Sequence, residues 1–256
     1  MGFSYKDVTS KEMGVKARLT SWQVSGWLRN FTTTVPGKYG VADFGADMDY
    51  REISVSCNIF PKHSFTALVE ALDGIAAWLD PTQGLHQLIF DDVPDRYFMA
   101  RLNDAVDCER LIRSAGRFDL KFFCPDPFGY AIADESYTIT AAGTHTVTRK
   151  TGNTESLPVF RIEGVITGSE SITITTNGAA MRISNAALSA GEVLVVDTDK
   201  MTAWVENSSG ITLRNALPYL EELNFPTLAV GNNSVQVEVA GATLTEIHIQ
   251  ARSRWR

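Results

Sequence analysis

The chain has 256 residues, 44% of them hydrophobic and 21% charged, with a net charge of −7 and a pI near 5.2. That length supplies a sound core for two domains or one large one. The acidic balance, with no Lys/Arg block, argues against a protein built to grip nucleic-acid phosphates. No apolar run reaches the roughly 18 residues of a spanning helix. Charge arrives at Lys6 and Asp7, too early for a signal-peptide apolar region, and Lys6 stands where a myristoylation start wants Ser or Thr. The expectation is synthesis in the cytoplasm with no membrane address. Cys57, Cys108 and Cys124 show no CxxC spacing and read as buried reduced thiols.

The first half opens with period-2 alternation at Val15, Ala17 and Leu19, repeated at Ile53, Val55, Cys57 and Ile59. Both runs predict half-buried strands. Between them PGKYGVADFG, broken by Gly37, Gly40 and Gly45, predicts a loop or long turn. One helix is predicted from about Ser64 to Leu79. Phe65, Leu68, Val69, Leu72, Ala76 and Leu79 form one apolar stripe, Ser64 is the N-cap, and Pro81 stops the helix. A single stripe implies a helix lying on a sheet. HQLIF and YFMARL then flank DDVPDR, which predicts a hairpin whose loop is longer than a tight turn and solvated at its tip. Phe118, Leu120 and Phe122 form the last strand of this half, ended by Pro125 and Pro127.

From about Ser136 the chain becomes Ser/Thr-rich. Short alternating runs such as VFRIEG, SITITT and SVQVEV recur at about ten-residue spacing between Gly, Asn and Ser. They predict an antiparallel sandwich or jelly roll. The fold class is therefore mainly β with one principal helix. Residues 1–133 are read as a first domain and residues 134–256 as a β-sandwich. CPDPFGY reads as the hinge between them, with Pro125 and Pro127 restricting the chain and Phe128 and Tyr130 anchoring it.

Signals for chemistry are sparse. The four histidines, His63, His86, His145 and His248, show no metal-ligand spacing. Asp91, Asp92 and Asp95 lack the calcium-loop order and read as turn residues, and Asp43, Asp47 and Asp49 receive the same reading. Nucleophile-elbow, dinucleotide and P-loop motifs are absent. The expectation is no catalytic residue, no metal and no cofactor. Trp204 and Tyr219 are the aromatic candidates for a sugar platform in the sandwich half, so a module recognising host cell-wall carbohydrate is the alternative reading. The PGKYG turn (Gly37, Lys38, Tyr39) and the DDVPDR tip (Asp91, Asp92, Asp95, Arg96) have no evident core role and are the candidate contact residues.

Several phrases stand together in a recognisable order: PGKYG at 36–40, Trp78-Leu79, Phe90-Asp91-Asp92 followed by Pro94-Asp95-Arg96-Tyr97, and Phe122 through Tyr130. LPVFRIEG, AGEVLVVD, FPTLAVGNNSV and the terminal RSRWR follow. This series resembles the distal tail protein family of long, non-contractile tailed bacteriophages, with Lys38 where that family often carries Arg. The resemblance implies a β-barrel-like N-terminal domain and a galectin-like sandwich. It also implies a structural, non-enzymatic role as a homohexameric ring at the tail end, in a virion or encoded by a prophage. Such a ring joins the tail tube protein to tail-tip, tail-fibre or baseplate proteins. DNA passes through its centre without specific binding, and no membrane is involved. Assembly is implied in the bacterial host cytoplasm. An acidic subunit suits a conduit that must not hold its cargo, so some N-terminal acidic residues are expected to line the bore.

Overall fold

The computed structural model describes residues 2–112 and 115–256. Two units are present, the first ending at Ile132 and the second spanning Ala133–Trp255. Strands dominate both, and one α-helix occurs among the described residues.

In the first unit the elements run β1 (Phe3–Tyr5), β2 (Val8–Thr9), β3 (Val15–Ser21), β4 (Leu28–Thr33), β5 (Ala42–Met48) and β6 (Arg51–Ile59). Then come α1 (Phe65–Trp78), β7 (His86–Phe90), β8 (Val93–Leu102), β9 (Glu109–Ile112), β10 (Ala115–Cys124) and β11 (Gly129–Ala131). The main sheet has the order β2-β1-β7-β8-β10-β6-β3. Its register carries the alternation across strands: Ala17 faces Cys57, which faces Phe118, and Leu19 faces Val55, which faces Leu120. One side of every such row is buried, and a slip of one residue would turn each apolar side chain to water. The two ends of the path, β2 and β3, are consecutive in the chain. They are tied where Val15 N donates to Ser10 O at 2.8 Å and Ser10 N donates to Phe3 O at 2.7 Å, so the sheet curls around its core.

Helix α1 starts where Ser64 Oγ accepts from Ala67 N at 3.1 Å, capping one of the four orphan donors. Its buried face is Leu68, Ile75 and Trp78, with Leu79 beyond the end. The predicted stripe is therefore corrected along one flank. Phe65, Val69 and Ala76 are exposed, because the sheet contacts a line closer to Ile75 and Trp78. Trp78 stacks on Phe3 with ring centres 5.4 Å apart, and its indole N–H donates to Tyr5 O at 2.8 Å.

Two loop expectations are also corrected. The DDVPDR loop is a two-residue turn, Asp91-Asp92, and Val93–Leu102 is one strand. Phe90 pairs with Val93, the register slips, and pairing resumes at Leu88 with Phe98. Pro94, which has no N–H to give, sits in that slip and so removes no ladder bond. Within PGKYGVADFG only the first part is a turn, and Ala42–Met48 forms β5 against β4. Gly45 read as a breaker but serves as a bulge: its φ is 103°, its N–H donates to Asp43 Oδ1 at 2.9 Å, and the strand continues past it.

The second unit contains β12 (Ser136–Ile139), β13 (Gly143–Arg149), β14 (Val159–Val165), β15 (Ser171–Thr176), β16 (Ala179–Ser184), β17 (Glu192–Asp197), β18 (Thr202–Asn207), β19 (Thr212–Asn215), β20 (Gly231–Ala240) and β21 (Thr243–Gln250). One sheet has the order β12-β21-β14-β17-β18-β19 and the other β13-β20-β15-β16. Their inner faces enclose a core that includes Phe160, Ile162, Ile174, Met181, Val205 and Ile249. This is a β-sandwich. The β15–β16 hairpin turns on Asn177-Gly178, both at positive φ, as a two-residue turn matched to strand twist requires. LPYLEEL supplies only a 3-10 turn at Leu217–Tyr219.

The sandwich edge is held by an ion pair. Arg214 Nη1 and Nη2 donate to the two Glu192 oxygens at 2.7 and 2.6 Å, and Ser189 N donates to the same carboxylate at 2.9 Å. The Arg214 bonds chiefly, then the Ser189 N–H, hold the Glu192 carboxyl at about 2 against an ordinary 4.5. A depressed carboxyl contributes stability in full above its unfolded value and loses it as pH falls through the folded one. Glu192→Gln should therefore lower the melting temperature of the second unit by a few degrees at pH 7. The gap to wild type should close between about pH 4.5 and pH 2. Thermal melts at pH 7, 4 and 2 check this, and a gap that persisted undiminished at pH 2 would contradict it.

Candidate assembly surface

Strands β4 and β5 pair only with each other, forming a two-stranded sheet apart from the main one. Every residue of β4 is exposed. Leu28 lies opposite Met48, Asn30 opposite Ala46 and Thr32 opposite Asp43, so one face is apolar at the root of the hairpin and polar further out. Arg29 lies opposite Asp47 on the other face, at 3.9 Å, with its guanidinium over the Phe31 ring. Leu28 is 63% exposed and Phe44 72%. Apolar residues this open, grouped on one element, mark a contact surface rather than scattered surface noise.

The hairpin tip holds the predicted residues Gly37, Lys38 and Tyr39. Lys38 N donates to Val35 O at 3.1 Å, and Gly37 at φ 79° follows Pro36. This arrangement needs glycine at the third position of the turn. Tyr39 is fully exposed. The root of the hairpin is bonded to the main sheet's neighbourhood by backbone and ring contacts. Trp27 N donates to Tyr50 O at 2.9 Å and Asp49 N donates to Trp27 O at 2.6 Å. Trp27 leans on Tyr50, Tyr50 on Phe123, and the Arg101 guanidinium sits over Phe123 at 5.0 Å. Gly26 admits no side chain, because a Cβ there would lie 2.8 Å from Pro127 Cβ and 3.1 Å from Tyr50 O. Arg51, buried beneath this root, donates to Gln23 O at 3.0 Å and lies over the Phe98 ring.

The other predicted residues lie elsewhere. Asp91 and Asp92 form the β7–β8 turn, and Asp91 N donates to Gly2 O at 3.1 Å. Asp95 and Arg96 are not at the tip: they lie within β8, where Asp95 receives Arg96 at 3.0 and 2.9 Å and Arg96 pairs with Ala131. The hairpin tip and the Asp91-Asp92 turn thus belong to different sheets. In CPDPFGY the organising residue is Asp126, which the sequence reading passed over. It accepts from Phe128 N at 3.1 Å and from the Tyr130 hydroxyl at 2.6 Å, while Tyr130 stacks on Tyr97 at 5.9 Å. The Asp-x-Phe spacing of an Asx turn was the available signal.

No grouping of three or more His, Cys, Asp or Glu side chains suited to a metal occurs among the described residues. Burial pushes the Cys57 and Cys124 thiols up to about 12. Cys108, expected to be buried, is partly exposed, because it sits in the segment leading into β9 rather than on the sheet. In the sandwich, the Trp204 indole N–H donates to Glu206 Oε2 at 3.1 Å and the ring packs beside Val159, Val193 and Val195. The Tyr219 hydroxyl receives Arg214 Nε at 3.4 Å. No helix is long and apolar enough to cross a membrane among the described residues.

Two family profiles match in chain order. Residues 17–124 match the phage tail protein RIFT-related domain, and residues 151–255 match the C-terminal domain of the siphovirus-type tail component. The chain belongs to the siphovirus distal tail protein family. Its fold is similar to the crystal structure of SPP1 Dit, described as a paradigm of the hub adsorption apparatus in phages infecting Gram-positive bacteria. The TM-score is 0.77 at 15% identity, over 100% of this chain and 99% of that one. A weaker likeness, TM-score 0.50 at 9% identity over 97% of each chain, is to a chain of the phage p2 baseplate in its activated conformation with Sr. No curated protein matches at the level of sequence. A distal tail protein is a structural component of the virion tail, from a family that is not one of enzymes.

Proposed function

We propose that six copies of this distal tail protein close into a ring at the tail end, with hairpin β4–β5 as the clasp between neighbours. One observation carries this reading: a two-stranded sheet whose first strand is wholly exposed and whose apolar residues face solvent. An isolated two-stranded hairpin is marginal in water and gains stability by packing on something else. A cyclic ring needs two different patches per subunit, and a projecting arm is a natural donor of one. Gly37, Lys38 and Tyr39 are the leading contact residues. Asp91, Asp92, Asp95 and Arg96 supply a second contact, toward the tail tube or the tip and baseplate proteins. Pro125, Pro127, Phe128 and Tyr130 are the hinge of the chain between its two domains. DNA passes through the ring, and the acidic surface keeps phosphates from adhering. Assembly takes place in the host cytoplasm.

Native mass measurement tests the ring. The expected species is close to six times 28.1 kDa, with a central hole by electron microscopy. Replacing the hairpin with a short Gly-Ser link should yield a monomer whose main sheet still melts cooperatively. A strict monomer for the wild-type chain at every concentration would remove the ring. A ring of unchanged mass without the hairpin would remove the clasp.

A further inference from the structure

A groove of about 660 Å³ runs between α1 and the segment that follows β8. Leu72, Leu102, Val106 and Phe118 line its apolar part. Asp73, Asp104 and Asp107 stand among the lining residues against one cation, Arg101, whose guanidinium lies over Phe123, so the lining carries more negative than positive charge. Of these, Asp104 is met by Lys121 at 3.3 Å, and no ion pair reaches Asp73 or Asp107 among the described residues. The groove is therefore apolar within and net negative around, and among the described residues no side chain fills it.

The same unit projects one feature of opposite character. The hairpin tip carries a single charge, Lys38, beside Tyr39 and flanked by the exposed Val35 and Val41. The other projecting turn, Asp91-Asp92, carries the wrong sign and would be repelled. We propose that the hairpin tip of one copy inserts Tyr39 into the α1 groove of the next, with Lys38 meeting Asp73 and Asp107. The assignment rests on the ring reading above and names the two patches of its repeating contact. Tip and groove are different surfaces of one chain, so each copy gives one and receives one, as a head-to-tail closed ring demands. Tyr39 brings a large, rigid anchor with a polar end, one of the side-chain types enriched at the centre of such contacts. Lys38 and the two aspartates set direction and rate of docking more than final affinity.

Cys108 lies in the groove and is partly exposed, whereas Cys57 and Cys124 are buried. This gives a direct test in the full-length chain. Tyr39→Cys, oxidised with copper phenanthroline, should produce a ladder of disulfide-linked multimers on a denaturing gel. The same variant with Cys108→Ser should produce none. A second measurement does not depend on Tyr39. Lys38→Glu alone, and Asp73→Lys with Asp107→Lys, should each weaken ring formation about tenfold. All three changes in one chain should restore it. A wild-type ring with no ladder and no charge-swap rescue would overturn the docking while leaving the ring intact. A wild-type chain that never forms a ring would overturn both.

Discussion

Arg149→Met should lower the melting temperature of the second unit by about 10–20 °C, the largest single-residue effect expected in that unit. Arg149 is wholly buried, and among the described residues no carboxylate lies within hydrogen-bond reach of it. Its guanidinium instead satisfies four backbone carbonyls. Nε donates to Ala229 O at 3.2 Å, Nη1 to Thr151 O at 3.0 Å, and Nη2 to Leu228 O at 3.1 Å and to Thr154 O. These carbonyls belong to two loops. Leu228 O also accepts from Ser156 N at 2.9 Å and Ala229 O from the Asn233 amide at 3.0 Å, so among the described residues it is the Thr151 and Thr154 carbonyls that rest on Arg149. A methionine fills much of the volume but donates nothing; the stranded Thr151 and Thr154 carbonyls cost about 1–3 kcal/mol each, and the Leu228 and Ala229 carbonyls each lose one of two bonds, about 0.5–1.5 kcal/mol apiece. Relaxation, entry of water and relief from burying a charge offset part of this, leaving about 3–5 kcal/mol. Arg149→Lys should fall between, since an ammonium offers three donors without the planar spread that reaches both loops. Calorimetry reads both. A second unit that melted unchanged in Arg149→Met would show that the carbonyls find other partners at little cost.

Trp78→Ala should destabilise the first unit by about 3–5 kcal/mol. The indole lies against Phe3 at 5.4 Å, nearly parallel, and edge-on to Tyr5 at 6.2 Å. Its removal opens a cavity where the last turn of α1 meets β1, and it strands Tyr5 O, which the indole N–H satisfies. Trp78→Phe keeps most of the packing and loses the hydrogen bond, so its cost should be nearer 1–2 kcal/mol. Denaturant melts with an unchanged m-value would separate the two contributions. Equal losses in the two variants would mean that packing at this site contributes nothing beyond the hydrogen bond.

The family was legible in the order of its phrases, and the structure explains what several of them do. The Trp of the helix end is the side chain that joins helix to sheet. The Asn pair of the GNNSV phrase includes Asn233, buried, whose amide donates to the carbonyls of Val147, Ala229 and Gly231. In the terminal RSRWR, Arg252 makes a two-pronged bond to buried Asp197 at 2.6 and 2.8 Å, and Arg254 Nε donates to Glu155 O at 2.8 Å. A sequence shows such residues as polar letters. Their burial follows from strands far apart in the chain.

Sequence by itself determined the β class, the single helix with its Ser64 cap, and most strands whose apolar residues alternate. These features rest on local periodicity and local hydrogen bonding, which a few consecutive residues contain in full. Tertiary structure alone decided that ADFGADM is a strand, that Asp95 and Arg96 leave the turn, and that Phe65 and Val69 face water. In each case the deciding partner is remote in sequence: β4 for β5, β11 for β8, and the curled sheet for α1. A surface made for another copy leaves even less trace in the chain. Its apolar residues obey no inward period, because the core they pack against belongs to a different molecule.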